Sequence, residues 1–311
     1  MIGRTCLAVV ALLALLSPAL PGQAGEGEPP WVIYRRGVQA LEDGNFGAAL
    51  QRFRTALSQR RPFPEVEAGL GRVFEAEGNI TLAIRQYERA LELAESFYVS
   101  ETEFEVRYRL AELHRNQEAW MQYQNVLQSI TDRDPQFDPE NDPPYRQLIP
   151  NVLTRSALED RPPEPRLDTL LTLYRLEANF AYRAHLDLGE QFLDAGRFDP
   201  AVDHLSFAAV EALSTLVAEL RRETYGYEFE STPALISDAL ELERLRRYMD
   251  EAEVFRAMYR LGGALWGLDN VSEVPAQIWR VVADFPDAAG EWSLRASRAL
   301  ENPEAGILVD Y

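Results

Sequence analysis

The sequence predicts an all-α fold: a solenoid of stacked helix–turn–helix units with additional non-repeat helices between them. Three observations predict it. Gly37, Gly44, Phe46, Ala49, Phe53, Ala56 and Leu57 return as Gly71, Gly78, Ile80, Ala83, Tyr87, Ala90 and Leu91, each 34 residues later. Small residues recur where two helices must approach closely, and large apolar ones where the gap between them is wide. No stretch sustains the period-two alternation of a half-buried strand. A chain of 311 residues is long enough for a large core or one extended solenoid.

Residues 1–24 read as a signal peptide. Arg4 supplies the positive end, Cys6 to Leu16 the apolar run, and Ala19 and Ala24 end two small-residue cleavage candidates. The run of 11 residues is too short to span a bilayer. Gly3-Arg4-Thr5 before Cys6 does not resemble the box that precedes a lipid-modified cysteine, so no lipid anchor is expected. Cys6 is the single cysteine; after cleavage stability must come from helix packing without disulfides. The expected location is the cell envelope, most simply the periplasm, with no integral membrane span once the signal is removed.

Residues 25–131 form the N-terminal repeat block of three units. In the first, helix A is expected from Trp31 to Asp43, the turn at Gly44-Asn45, and helix B from Phe46 to Arg60, ended by Pro62 and Pro64. The second spans 64–97 with its turn at Gly78-Asn79. A third is read from Ala119, Tyr123, Val126 and Leu127, 36 residues after Ala83, Tyr87, Ala90 and Leu91, with Ser100 and Glu103 as a capping box opening its first helix. Residues 132–165 are a Pro/Asp-rich insertion or hinge, with a short helix expected at 145–160. Residues 166–311 form a C-terminal helical block with two further repeat-like units. The first carries Gly189, Gly196, Phe198, Ala201, Leu205 and Ala208, and Asp199-Pro200 reads as a helix start. Its second helix is expected to run on to Arg222; another opens at Thr232-Pro233 and continues to Met249. The last unit starts near Phe255 with Gly262, and a closing helix covers 288–300.

These spacings resemble the tetratricopeptide repeat (TPR), and Leu261-Gly262 with Val281-Val282-Ala283-Asp284-Phe285-Pro286 is similar to the degenerate repeats of bacterial envelope proteins. The resemblance implies that Gly37, Ala49, Gly71, Ala83, Gly189, Ala201 and Gly262 pack helix A on helix B. It also implies that the free faces of the A helices line a concave groove for another protein or peptide. The groove candidates are Trp31, Tyr34, Arg72, Phe104, Tyr108, Arg183, Arg256 and Tyr259, the aromatic and arginine types that anchor protein interfaces. The Lys/Asn clamp of some TPR proteins is absent: Tyr34 and Val38 occupy two of its positions.

Composition narrows the chemistry. The net charge of −19 disfavours phosphate backbones and anionic lipid, so no nucleic-acid partner is expected. All 31 basic residues are arginine, which excludes a Walker-type phosphate loop, a Schiff-base lysine and a Ser–Lys dyad. There is no Gly-x-Ser-x-Gly elbow, no His-Glu-x-x-His and no cysteine pair. His185 and His204 fall on the two helices of the fourth unit and could face each other, but a metal site needs three or four ligands. The reading is therefore a non-enzymatic exported scaffold that needs no cofactor or metal. The alternatives are a ligand-binding helical component associated with a TRAP-type transporter, by family analogy alone, and an enzyme of cell-wall polymer without a named nucleophile.

Overall fold

The computed structural model describes residues 28–134, 180–268 and 274–306. Among them are fourteen α-helices and no strand. The signal segment, the expected 145–160 helix, nearly all of the 132–165 insertion and the 307–311 tail lie outside the described residues.

Helices pair as antiparallel hairpins in chain order: α1 (Pro30–Glu42) with α2 (Phe46–Gln59), α3 (Pro64–Ala76) with α4 (Ile80–Leu91), α5 (Ser100–Asn116) with α6 (Trp120–Thr131). Then follow α7 (Tyr182–Asp194) with α8 (Phe198–Glu223), and, after α9 (Thr232–Glu241) and α10 (Glu243–Glu251), α11 (Val254–Leu268) with α12 (Val274–Ala283). The short α13 (Pro286–Ala289) and α14 (Glu291–Glu301) close the C-terminal end.

The hairpins depend on close approach at one position. A Cβ on Gly71 would lie 2.5 Å from the Tyr87 ring, so only glycine lets α3 and α4 meet there. The same clash would arise between Gly37 and Phe53, Gly189 and Leu205, and Gly262 and Trp279. Ala49, Ala83 and Ala201 are fully buried between the same helices.

The third hairpin has a different register from the one expected. Gly44, Gly78 and Gly196 each end an A helix in the left-handed region, and Glu118 occupies that place in the third hairpin with φ 56°. The turn bonds agree: Gly78 and Asn79 donate to Glu75 and Phe74, and Glu118 and Ala119 donate to Arg115 and His114. The offset from the second hairpin is thus 40 residues, not 36. Ala111 then stands where Gly71 does, and Leu127 and Ile130 where Tyr87 and Ala90 do; all three are buried. The error is one helical turn, and a four-residue slip keeps apolar residues on the same face.

Helix starts also differ. Ser100 lies inside α5 and makes no capping bond. Glu103 instead pairs with Arg107 at 2.6 Å and Arg133 at 3.0 Å. Phe198, one residue before Asp199, opens α8, so Asp199 sits in its first turn, where a carboxylate suits the helix dipole. The segment expected to be one helix from Thr232 to Met249 breaks at Leu242, whose extended backbone turns its side chain onto the core.

α6 packs directly on α7, and one apolar core runs from α5 and α6 through α14. α8 is its axis, lying against α7, α9, α10 and α11. It is the one described helix long and apolar enough to cross a membrane, and 94% of its most apolar window is buried within the fold. Two smaller clusters fill the N-terminal end, one from α1 to α3 and one from α3 to α6.

Candidate functional site

The first turn of α1 carries Trp31 and Tyr34 on one face, three residues apart. The α2–α3 connection places Phe63 beside them: its ring lies 5.6 Å from that of Tyr34, and Tyr34 in turn lies 5.9 Å from Phe53. Tyr98 and Val99, in the α4–α5 connection, form the facing wall. Together these residues line a cavity of about 670 Å³, within the range of natural ligand pockets. Trp31 is 53% and Tyr98 88% exposed, so the mouth is apolar and open. Exposed apolar surface gathered at a concavity marks an interaction site more often than scattered surface residues do.

Polar groups are few and of three kinds. Arg35 and Arg60 line the cavity, and the Arg60 guanidinium sits 4.9 Å over the Phe63 ring. Glu65 is buried, and its Oε1 accepts the Tyr98 backbone N–H at 2.5 Å, tying the α4–α5 connection to the start of α3. Burial, and next the Glu65 charge, hold the Tyr34 phenol above its ordinary range, with Arg72 opposing. Tyr34 is thus a neutral hydrogen-bonding group at any physiological pH.

Of the groove candidates, Trp31 and Tyr34 meet in this cavity, with Arg72 on the half-buried side of α3 within electrostatic reach of Tyr34. The others do not join them. Phe104 stacks on Phe180 with centroids 3.8 Å apart. The Tyr108 hydroxyl donates to the Phe180 carbonyl at 2.5 Å and accepts from the Ala184 N–H at 3.1 Å, fixing α5 to the start of α7. Arg183 is exposed and lies 3.7 Å from both Glu112 and Asp187. Arg256 makes a two-pronged pair with Glu190, which also takes Arg260 at 2.9 Å. Tyr259 is 3% exposed and packs on Trp292 of α14, so it is a core residue rather than a groove residue.

Sequence reasoning missed Arg35, Arg60, Phe63, Glu65, Tyr98 and Val99. Four of the six, Arg60, Phe63, Tyr98 and Val99, lie outside the A helices, and Arg35 and Glu65 are charged residues beside the expected apolar positions of α1 and α3. The available signal was Phe63 between Pro62 and Pro64, an aromatic held in a rigid connection.

A second polar cluster lies inside the fold. His185 and His204 are buried with their Nδ1 atoms 2.9 Å apart, and His185 Nε2 is 3.4 Å from an Asp134 oxygen. Burial lowers both histidines, with Asp134 opposing it at His185 and the neighbouring His185 adding to it at His204, so both rings are neutral near pH 7. One Nδ1–H therefore donates to the other Nδ1. Among the described residues no group of three His, Cys, Asp or Glu is placed to hold a metal ion.

A comparison with known protein families finds no match. A curated relative, an uncharacterized protein of Treponema pallidum (strain Nichols), is 22% identical over 210 residues. The alignment covers 68% of this chain but 54% of the relative, so the chain spans about half the length of the protein it matches.

Proposed function

We propose that this chain is an exported TPR-type scaffold that holds another envelope protein or peptide, and that the Trp31–Tyr34–Phe63–Tyr98 cavity is where that partner is anchored. One observation carries the reading: an open concavity walled by four aromatic side chains and two arginines at the exposed end of a stack of helical hairpins. Trp, Tyr and Arg dominate the binding energy of protein interfaces. Trp and Tyr lose little side-chain freedom on binding, since their rings hang on only two rotatable bonds. The fixed helix-on-helix packing at Gly37 and Gly71 supports the TPR-type assignment, since it repeats the 34-residue period.

Site-specific photo-crosslinking in intact cells tests this. A crosslinking residue replacing Trp31 captures one dominant envelope protein, whereas the same residue replacing the fully exposed Tyr225, in the α8–α9 connection, does not. Equal capture from both positions, or none from position 31, overturns the proposal.

A further inference from the structure

We infer that the cavity takes an acidic peptide segment of the partner, with a large apolar side chain inserted between the rings and flanking Asp or Glu carboxylates on Arg35 and Arg60. The inference rests on the scaffold reading and names the partner's chemistry.

The argument is one of charge placed against its surroundings. The whole chain carries −19. Residues 30–64, which build α1, α2 and the connection to α3, carry six arginines against Glu42 and Asp43, a net +4. The basic hairpin therefore sits at one end of an acidic molecule, and the cavity opens on it. A basic peptide would be drawn to the rest of the surface and repelled here; an acidic one is steered to this end alone.

The individual arginines sharpen the point. At the other end of the fold the inward guanidiniums are already neutralised: Arg256 and Arg260 both bind Glu190. Arg35 and Arg60 have no carboxylate within ion-pair distance among the described residues, and both are exposed. They offer forked donors that match a carboxylate in geometry. The walls between them are rings, so the body of the ligand is apolar. Glu65, buried on the cavity's lining and held by the Tyr98 N–H, keeps anions out of the depth of the pocket. That leaves the rim for carboxylates and the interior for the apolar side chain.

The probes are labelled pentapeptides, acetylated and amidated so that no terminal charge contributes, titrated against the full mature chain by fluorescence anisotropy. One has tryptophan between pairs of acidic residues, one has tryptophan between pairs of arginines, and one has alanine between pairs of acidic residues. The acidic tryptophan peptide is expected to bind about tenfold or more tighter than either control, and to weaken as salt is raised. An Arg35→Glu/Arg60→Glu variant loses that binding and keeps its melting temperature to within a few degrees, since both side chains are exposed and only the Arg60 contact over the Phe63 ring is given up. Equal or tighter binding of the arginine peptide, or full affinity in the double variant, overturns the inference. Binding of none of the peptides alongside capture from position 31 overturns the inference and leaves the scaffold standing; failure of both experiments removes both.

Discussion

Glu118 is the residue that departs from its counterparts. It adopts φ 56° at the position where Gly44, Gly78 and Gly196 end the first helices of the first, second and fourth hairpins. A side chain in the left-handed region costs about 1 kcal/mol through the clash of Cβ with the following carbonyl. Glu118→Gly is therefore expected to stabilise the protein by about 1 kcal/mol, less the extra freedom glycine gains in the unfolded chain. Denaturant unfolding of variant and parent checks it: the midpoint should rise with the slope unchanged. A lower midpoint would mean that the Glu118 side chain contributes more than its backbone costs. The same turn shows how residues were legible and how they were not. Gly37 and Gly71 could be read because close helix contact tolerates no Cβ, a local demand that repeats with the chain. Tyr34, Tyr108 and Tyr259 could not be told apart, since each lies at the same helical spacing on an A helix. Whether such a tyrosine faces a cavity, bonds to Phe180 or is covered by Trp292 depends on a second layer that no single helix's periodicity encodes.

At the scale of elements, the helices and many of their edges were legible, and the capping residues and the break at Leu242 were not. The long apolar stripe of α8 predicted its run to within a residue of its C-terminal end. Its neighbour α9 is capped by Ser231, whose side chain accepts the Ala234 N–H, while the better-looking Ser100 caps nothing because Val99 and not Ser100 precedes the first helical residue. α8 also carries a group whose ionisation ties stability to pH. Burial, and then the Asp134 charge, push the Glu211 carboxyl up to about 8. An unfolded glutamate titrates near pH 4.3. Between those values the folded state keeps a proton that the unfolded state gives up. Stability from this group is thus complete at low pH and falls as pH rises toward 8, by up to about 1.4 kcal/mol per unit. His185 and His204 act in the opposite sense. Their folded values are lowered, so their contribution is full above the unfolded value near 6.5 and is lost as pH falls below it. Glu211→Gln removes only the alkaline limb. The difference in melting temperature, variant minus parent, should grow with pH up to about 8 and then level off. A difference flat across that window would mean that Glu211 is ionised in the folded state.

At the scale of the whole molecule, the described helices pack largely as hairpins against their neighbours in chain order, and stability is not uniform among them. α8 is enclosed by α7, α9, α10 and α11, whereas among the described helices the α1–α2 hairpin packs chiefly on α3. Opening α1 and α2 exposes one small cluster; opening α8 exposes the main core. The all-α class was legible at this scale because the recurring Gly and Ala positions demand close helix-on-helix contact. The position of the site was not, because it depends on which end of the stack is basic and on two connections, at Phe63 and Tyr98, that no period describes. The same asymmetry predicts where the fold opens first. In native-state hydrogen exchange, amides of Phe53 to Leu57 in α2 should open at a lower free energy than those of Leu213 to Val217 in α8. An acidic tryptophan peptide should raise protection in α1 and α2 first, because the cavity joins α1 to the start of α3 and to the α4–α5 connection, and a ligand that binds only the closed hairpin adds its binding energy to that opening. Equal opening energies in α2 and α8 would mean that the chain unfolds as one cooperative unit. The cavity would then be as rigid as the core, and partner binding would have nothing to order there.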